Sequence, residues 1–263
     1  MHSTTALFDL FRADLDDYND RRERLIKASR DITNLSKRTI FLLHRLVLEH
    51  IPTDDGGHRA AARAYENLRE VPAVYATLKP DLAGDRFWRY HRQVSPGLQE
   101  YIEALSFAHY LEHRSLITFD RVQQTLCDAE GVPYFPLTVS DYLLGLSDLT
   151  GELMRFAISA IGTRGGRTNA NQVCAFVRAC KADFECMTPY VRDLSKKQAV
   201  TAQSLEKIED AAYALAVRGS EYALPQEMLD DLVAQSISRF SSVQDDSRPR
   251  RRRDDDDADE VDR

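Results

Sequence analysis

From Thr5 to about His50, apolar residues recur at steps of three, four or seven: Phe11, Leu15, Tyr18, Leu25, Ile32 and Leu35. This spacing draws an apolar stripe along one face of a long helix. The stretch from Asp16 to Arg30 is dense in charge, so much of it must face water, and Pro52 with the glycines after it ends the helix. A second helix is expected from about His58 to Lys79, kinked or broken at Pro72. A third runs from about Asp85 to Arg114, interrupted at Pro96-Gly97, where Ser95 is placed to cap a second half. A short fourth helix is capped by Asp120 and ends before the loop Gly131–Pro136. Further helices are expected over Ser140 to about Ile161, Asn169 to Cys186 and Pro189 to Arg218, with Gly219 where a helix C-terminal glycine belongs. Few runs alternate apolar and polar residues over strand length. The pattern predicts an all-α chain: one bundle of about seven helices led by a long N-terminal one. Residues 1–240 form that domain, closing on a short peripheral helix over about 226–239. Residues 241–263 read as a disordered Arg/Asp-rich tail.

Charge refines this picture. The net charge is −7, and the segment from Asp245 to Arg263 holds six arginines and nine acids. The remaining body is mildly acidic, which argues against a protein coated with positive charge for duplex DNA. No apolar run approaches the ~18 residues of a membrane span, and no secretory signal is expected at the N-terminus. The four cysteines, Cys127, Cys174, Cys180 and Cys186, form no C-x-x-C pair and suggest no zinc site. They read as buried or half-buried thiols. The block Arg248–Arg253 looks like a nuclear-import or nucleic-acid patch, although the acids directly after it can mask it.

Two predicted helices each carry a close pair of acids in apolar surroundings. Glu100 and Glu103 lie in GLQEYIEALSF (97–107), and Asp148 and Glu152 in DYLLGLSDLTGELMR (141–155). Spacings of three and four put the acids of each pair on one helix face. Four carboxylates on facing helices repel one another unless protonated or neutralised by a cation. A hard divalent ion such as Mg²⁺ favours such oxygen ligands and can activate water against a phosphodiester. Acids three or four apart are nevertheless common on solvated faces. A ferritin-like di-iron site is disfavoured because Glu-x-x-His occurs nowhere. Gly145 and Gly151 cost helix propensity but allow close approach of another helix or a substrate backbone.

The segment Arg86-Phe-Trp-Arg-Tyr-His-Arg92 mixes cations with flat rings, the combination that holds single-stranded RNA. Arg86, Trp88, Arg89, Tyr90, His91 and Arg92 are its candidate RNA contacts. The competing reading makes the aromatics core or subunit contacts and lets the arginines snorkel to water. Lys37 and Arg38, with His44 and Arg45 after them, form a further basic cluster that is as readily solvated or paired with acids. His109 and His113 have no evident partner in the sequence.

Several strings resemble the translin family, and within it the translin-associated factor X (Trax) branch. They are KASRDIT (27–33), SKRTIFLLHR (36–45), GLQEYIEALSF (97–107), RSLI (114–117), DYLLG (141–145), DLTGELMR (148–155) and YALAVRGSE (213–221). The resemblance implies a helical translin fold that assembles with translin into a closed, octamer-like shell. It implies an endoribonuclease acting on single-stranded RNA with Mg²⁺ or Mn²⁺. In animals the family complex promotes RNA silencing by removing passenger-strand fragments, and in fungi a related complex is linked to transfer-RNA processing. Carried over, the family's acids are Glu100, Glu103, Asp148 and Glu152, with Glu103 and Glu152 as direct metal ligands. Cytoplasm and nucleus are the expected locations. A non-catalytic scaffold that stabilises translin and assists RNA or single-stranded DNA binding is the alternative. The chain departs from the family pattern in Pro96 ahead of the first acid pair, in a short 131–136 loop, and in a basic block at the C-terminus rather than nearer the N-terminus.

Overall fold

The computed structural model describes residues 4–49, 56–161 and 166–221. The expected helix over 226–239 and the tail over 241–263 lie outside the described residues. Eight helices are present among the described residues. They are α1 (Thr4–Glu49), α2 (Gly56–Leu68), α3 (Glu70–Leu82), α4 (Arg86–His113), α5 (Phe119–Thr125), α6 (Val139–Ala160), α7 (Gly166–Met187) and α8 (Leu194–Glu221). The count exceeds the expected seven because the second segment divides at Arg69 into α2 and α3. The break falls three residues before Pro72, which therefore occupies the first turn of α3, where a missing N–H costs little. None of the helices among the described residues is long and apolar enough to cross a membrane.

Three sequence expectations are corrected. Helix α4 runs unbroken through Pro96, and Ser95 does not cap a second half; its hydroxyl goes to Asp141 instead. The backbone N–H of Gly97 donates to Ser29 Oγ at 2.9 Å, and a Cβ at Gly97 would meet Ser29 backbone at 2.7 Å, so α1 itself seals the Pro-Gly step. Helix α5 is capped by Thr118, whose hydroxyl accepts from Arg121 N, while Asp120 sits in the first turn. Helix α8 continues past Gly219 to Glu221.

Helices α1, α4 and α6 lie side by side and run in the same direction. Tyr18 stacks on Tyr90, Ser29 touches Gly97, and His44 packs on Phe107, so residue numbers rise together along α1 and α4. Along α4 and α6 the pairs His91–Asp141, Ile102–Gly145 and Phe107–Phe156 do the same. Gly145 is what admits this approach: a Cβ there would lie 2.8 Å from Ile102 Cβ and 3.0 Å from the Gln99 carbonyl. Helix α8 and the turn before it pack on α6 through Val191 and Leu194 against Leu144, and through Thr201, whose hydroxyl meets Ser147 and Thr150. The stripe on α1 enters the core only from its middle onward. Leu25 and Ile32 are buried, whereas Phe8, Phe11 and Leu15 are exposed. Cys174 and Cys180 are buried, Cys127 is half-buried, and Cys186 is exposed, against expectation.

Candidate carboxylate site and nucleic-acid face

Both acid pairs come together where α4 crosses α6. Glu103 on α4 is the centre. Its carboxyl is pushed up to about 8, first by burial and then by the negative charges of Asp148, Glu152 and Glu100. One α4 residue therefore feels all three of the other predicted acids, as the one-face spacing of each pair requires. Glu152 is buried and the other three are partly covered.

Each of the other acids has a protein cation or ring at hand. Lys37 of α1 lies 3.2 Å from Glu100. His44 Nε2 of α1 lies 2.6 Å from Glu152 Oε2, and Arg155 donates to Glu152 Oε1 at 2.9 Å. Lys197 of α8 donates to both oxygens of Asp148 at 2.5 Å each. Among the described residues no three His, Cys, Asp or Glu side chains are grouped as a metal-holding set. The site as folded is thus a repelling carboxylate cluster faced by four side chains: Lys37 and His44 of α1, Arg155 of α6 and Lys197 of α8. Of these side chains the sequence pointed only to Lys37 and His44, as members of an ambiguous basic cluster. Lys197 carried no signal beyond standing in a Lys-Lys pair at the start of a helix.

The six candidate RNA contacts do not share one fate. Tyr90 is a core residue, 2% exposed, stacked on Tyr18 with ring centroids 5.3 Å apart, so it has no free face for a base. His91 is tied to Asp141, 2.6 Å from Nε2 to Oδ2. Trp88 is 63% exposed. Arg86 is exposed and donates to the Pro80 carbonyl, and Arg89 lies over the Tyr18 ring, 4.5 Å from its centroid. Arg92 opens onto a groove of about 550 Å³ between α1 and α4. Arg22 and Arg30 of α1 line the same groove, with Ser29, Asn34 and Gln93, and among the described residues no acidic side chain lines it. The two α1 arginines were not singled out in the sequence, although Arg22, Arg30, Lys37 and His44 recur at seven- or eight-residue steps along one helix face.

Asp141 is the tightest polar node. It is 1% exposed and accepts from His91, Ser95, Gln99 at 2.9 Å and Thr138 at 2.7 Å. Its own N–H bonds to Thr138 Oγ1 at 3.0 Å, closing the α6 N-terminus. Burial acts to raise its carboxyl, and the four hydrogen bonds outweigh that and hold it below the usual carboxylate range. Three residues of α4 are thereby locked to the first turn of α6, which sets the register of the two acid-bearing helices.

Fold and site define a class: a single helical bundle in which parallel helices enclose a cluster of coupled carboxylates beside an arginine-lined groove. The chain belongs to the translin family, whose model matches residues 20–219. It is 39% identical over 251 residues to translin-associated protein X of Mus musculus, covering 86% of this chain and 82% of the mouse protein. It is 28% identical over 221 residues to the translin-associated protein X homolog of Schizosaccharomyces pombe, covering 80% and 87% of the two chains. Identity to translin of Gallus gallus is 26% over 204 residues, covering 74% and 89%. Among solved structures, AfC3PO superimposes with a TM-score of 0.60 at 21% identity, covering 80% of this chain and 97% of that one.

Proposed function

We propose that this chain is the catalytic subunit of a translin–Trax-type complex, an endoribonuclease that hydrolyses phosphodiester bonds in single-stranded RNA. The observation that carries the reading is Glu103: a half-buried carboxyl driven to about 8 by burial and by Asp148, Glu152 and Glu100. Acids gathered so that burial and like charge raise one of them are characteristic of functional sites. The all-oxygen donor set suits a hard divalent cation. Glu103 and Glu152 would hold Mg²⁺ or Mn²⁺, with Glu100 and Asp148 completing the set or orienting water. When bound, such an ion supplies Lewis acidity and an activated water.

The rest of the work falls to the chain's own side chains. Asp141 holds α4 and α6 in register through His91, Ser95 and Gln99. Arg22, Arg30 and Arg92 form a phosphate-binding track on α1 and α4. On both helices this track leads in chain order toward Lys37 and Glu100 and then toward the acids. Trp88 offers an exposed ring for stacking. Support for an RNA ligand also comes from the family. A structure of AfC3PO with duplex RNA shares this fold at a TM-score of 0.60. Translin is the partner subunit in this reading, in a closed octamer-like shell, and passenger-strand or transfer-RNA fragments are the substrates. Cytoplasm and nucleus are the corresponding locations.

A second reading is favoured by one observation, the pairing of Glu100, Asp148 and Glu152 with Lys37, Lys197, His44 and Arg155. On that reading the acids are structural counter-charges, and the chain is a scaffold that stabilises translin and assists nucleic-acid binding. Cleavage of single-stranded RNA by the complex reconstituted with Glu103→Ala or Asp148→Ala separates the two. The nuclease reading expects both variants to be inactive with Mn²⁺ binding reduced. Wild-type cleavage in both supports the scaffold.

A further inference from the structure

We infer that Lys197 is a working residue of the carboxylate site with two partners in turn: Asp148 in the metal-free chain, and the phosphate of the RNA once Asp148 is engaged by a divalent cation. The inference rests on the nuclease reading given above.

The geometry sets Lys197 apart from the other cations around the acids. Arg155 reaches Glu152 along its own helix, three residues on, and is 59% exposed. Lys37 makes a single 3.2 Å contact with Glu100 and is 55% exposed. Lys197 comes from a different helix, 49 residues away in sequence, and its ammonium sits evenly on both Asp148 oxygens at 2.5 Å. Its charge also reaches Glu103. It therefore occupies the place where positive charge is most needed.

The backbone beneath it is fixed. Leu194 is fully buried against Leu144 and Val191, and Thr201 is hydrogen-bonded to Ser147 and Thr150. The head group is not fixed to the same degree: the Lys197 and Asp148 side chains are 32% and 29% exposed. A lysine carries a compact charge with three donors on a flexible four-carbon stem, so the head can leave Asp148 without any helix moving. Lys197 brings a single positive charge to Asp148. A doubly charged ion with oxygen affinity would compete with it for Asp148. The freed ammonium then stands beside the acids, and the anion brought to that place is a phosphodiester, whose developing negative charge in the pentacovalent transition state it can stabilise.

A purely structural salt bridge between α6 and α8 predicts something different. Removing it would weaken folding, metal binding and cleavage together. A residue that competes with the cation predicts opposite signs for binding and cleavage. The test uses the full-length chain co-purified with translin, in wild-type, Lys197→Met and Lys197→Arg forms. Mn²⁺ affinity is read from the electron paramagnetic resonance signal of free Mn²⁺, and single-turnover cleavage of a single-stranded RNA is measured at saturating Mn²⁺. Lys197→Met is expected to bind Mn²⁺ about tenfold tighter, the effect of about one pKa unit of lost like-charge interaction. It is expected to cleave on the order of 100-fold more slowly. Lys197→Arg should retain part of the cleavage. Unchanged or weaker Mn²⁺ binding by a folded Lys197→Met complex overturns the inference, as does a wild-type cleavage rate. Loss of both together with a lowered melting temperature assigns the pair to helix packing and overturns it as well. Glu103→Ala is run alongside. If that variant keeps wild-type Mn²⁺ binding and cleavage, the nuclease reading itself has failed; if it loses both, a negative result at Lys197 counts against Lys197 alone.

Discussion

His91 Nε2 and Asp141 Oδ2 lie 2.6 Å apart across the α4–α6 contact, and this pair makes stability depend on pH in a defined window. The hydrogen bond to Asp141 raises the imidazole pKa above its ordinary 6.5, outweighing partial burial. The Asp141 carboxyl is held below its ordinary 3.8 by four donors, against the pull of burial. The histidine's contribution is complete below 6.5 and fades as pH climbs through its raised folded value. The aspartate's is complete above 3.8 and fades as pH falls through its depressed value. The pair therefore stabilises most between those two ordinary values. Urea denaturation of wild type and His91→Gln should differ most near pH ~5.5, and the difference should shrink toward pH ~8. A difference independent of pH would show that the pair is not a charged one. Asp141→Ala, which strands His91, Ser95, Gln99 and Thr138, should cost about 3 kcal/mol at any pH in that window.

The Glu103 carboxyl is shifted the opposite way from that of Asp141. Its folded value is about 8 against an ordinary 4.5, so the folded chain binds the proton more tightly than the unfolded one. The metal-free protein loses stability from this group as pH rises from 4.5 toward 8. Glu103→Gln keeps the shape and removes the ionisation. In EDTA at pH ~8 the variant should melt higher than wild type, by about 2–4 °C for each kcal/mol relieved at this chain length. Adding Mn²⁺ should raise the melting temperature of wild type and leave Glu103→Gln nearly unmoved. Differential scanning calorimetry in both buffers checks this. A variant that melts lower in EDTA contradicts the assignment of Glu103 as a strained, functional acid.

Two glycines of α6 separate packing from propensity. A Cβ at Gly145 would meet Ile102 at 2.8 Å and the Gln99 carbonyl at 3.0 Å, both on α4. Gly145→Ala must push the acid-bearing helices apart and should cost about 1–3 kcal/mol. A Cβ at Gly151 would meet nothing within 4 Å. Gly151→Ala should therefore gain up to about 1 kcal/mol of helix propensity. Thermal melts of the two variants should move in opposite directions. If Gly151→Ala also slows cleavage while stabilising the fold, the open space beside Glu152 is needed by substrate.

The helices were legible because their apolar period is local, and the acid pairs because spacings of three and four fix a helix face regardless of context. What escaped the sequence depends on long-range partners. Pro96-Gly97 reads as a break, yet α4 is continuous there and the Gly97 N–H goes to Ser29, 68 residues away. Tyr90 and His91 look like neighbours in a basic–aromatic motif, yet one is claimed by Tyr18 and the other by Asp141. The stripe from Phe11 to Leu35 is uniform in sequence, but against the described residues Phe11 and Leu15 stay exposed while Leu25 and Ile32 are buried. Lys197 becomes visible as a site residue only when α8 is laid against α6.

The arginine groove yields a prediction that can be read from salt dependence alone. Arg30 and Arg92 line it from opposite helices, with Arg22 on the α1 side and no acid among the lining residues. If these side chains hold RNA phosphates, each contact releases counterions when the strand binds. The logarithm of affinity then falls with the logarithm of salt concentration by roughly 0.7 per phosphate held on a single strand. Arg30→Ala and Arg92→Ala should each reduce that slope by about this amount and weaken binding to all sequences alike. The double variant should lose close to the sum. Tyr90→Phe, altering a ring enclosed in the core, should leave the slope unchanged. Trp88→Ala should cost about 1–3 kcal/mol of binding without changing the slope, because stacking displaces no counterion. Fluorescence anisotropy of a labelled single-stranded RNA across a salt series measures all five variants. Slopes unchanged in Arg30→Ala and Arg92→Ala would remove the groove from the RNA path and leave Trp88 and the remaining α4 arginines as the candidate contacts.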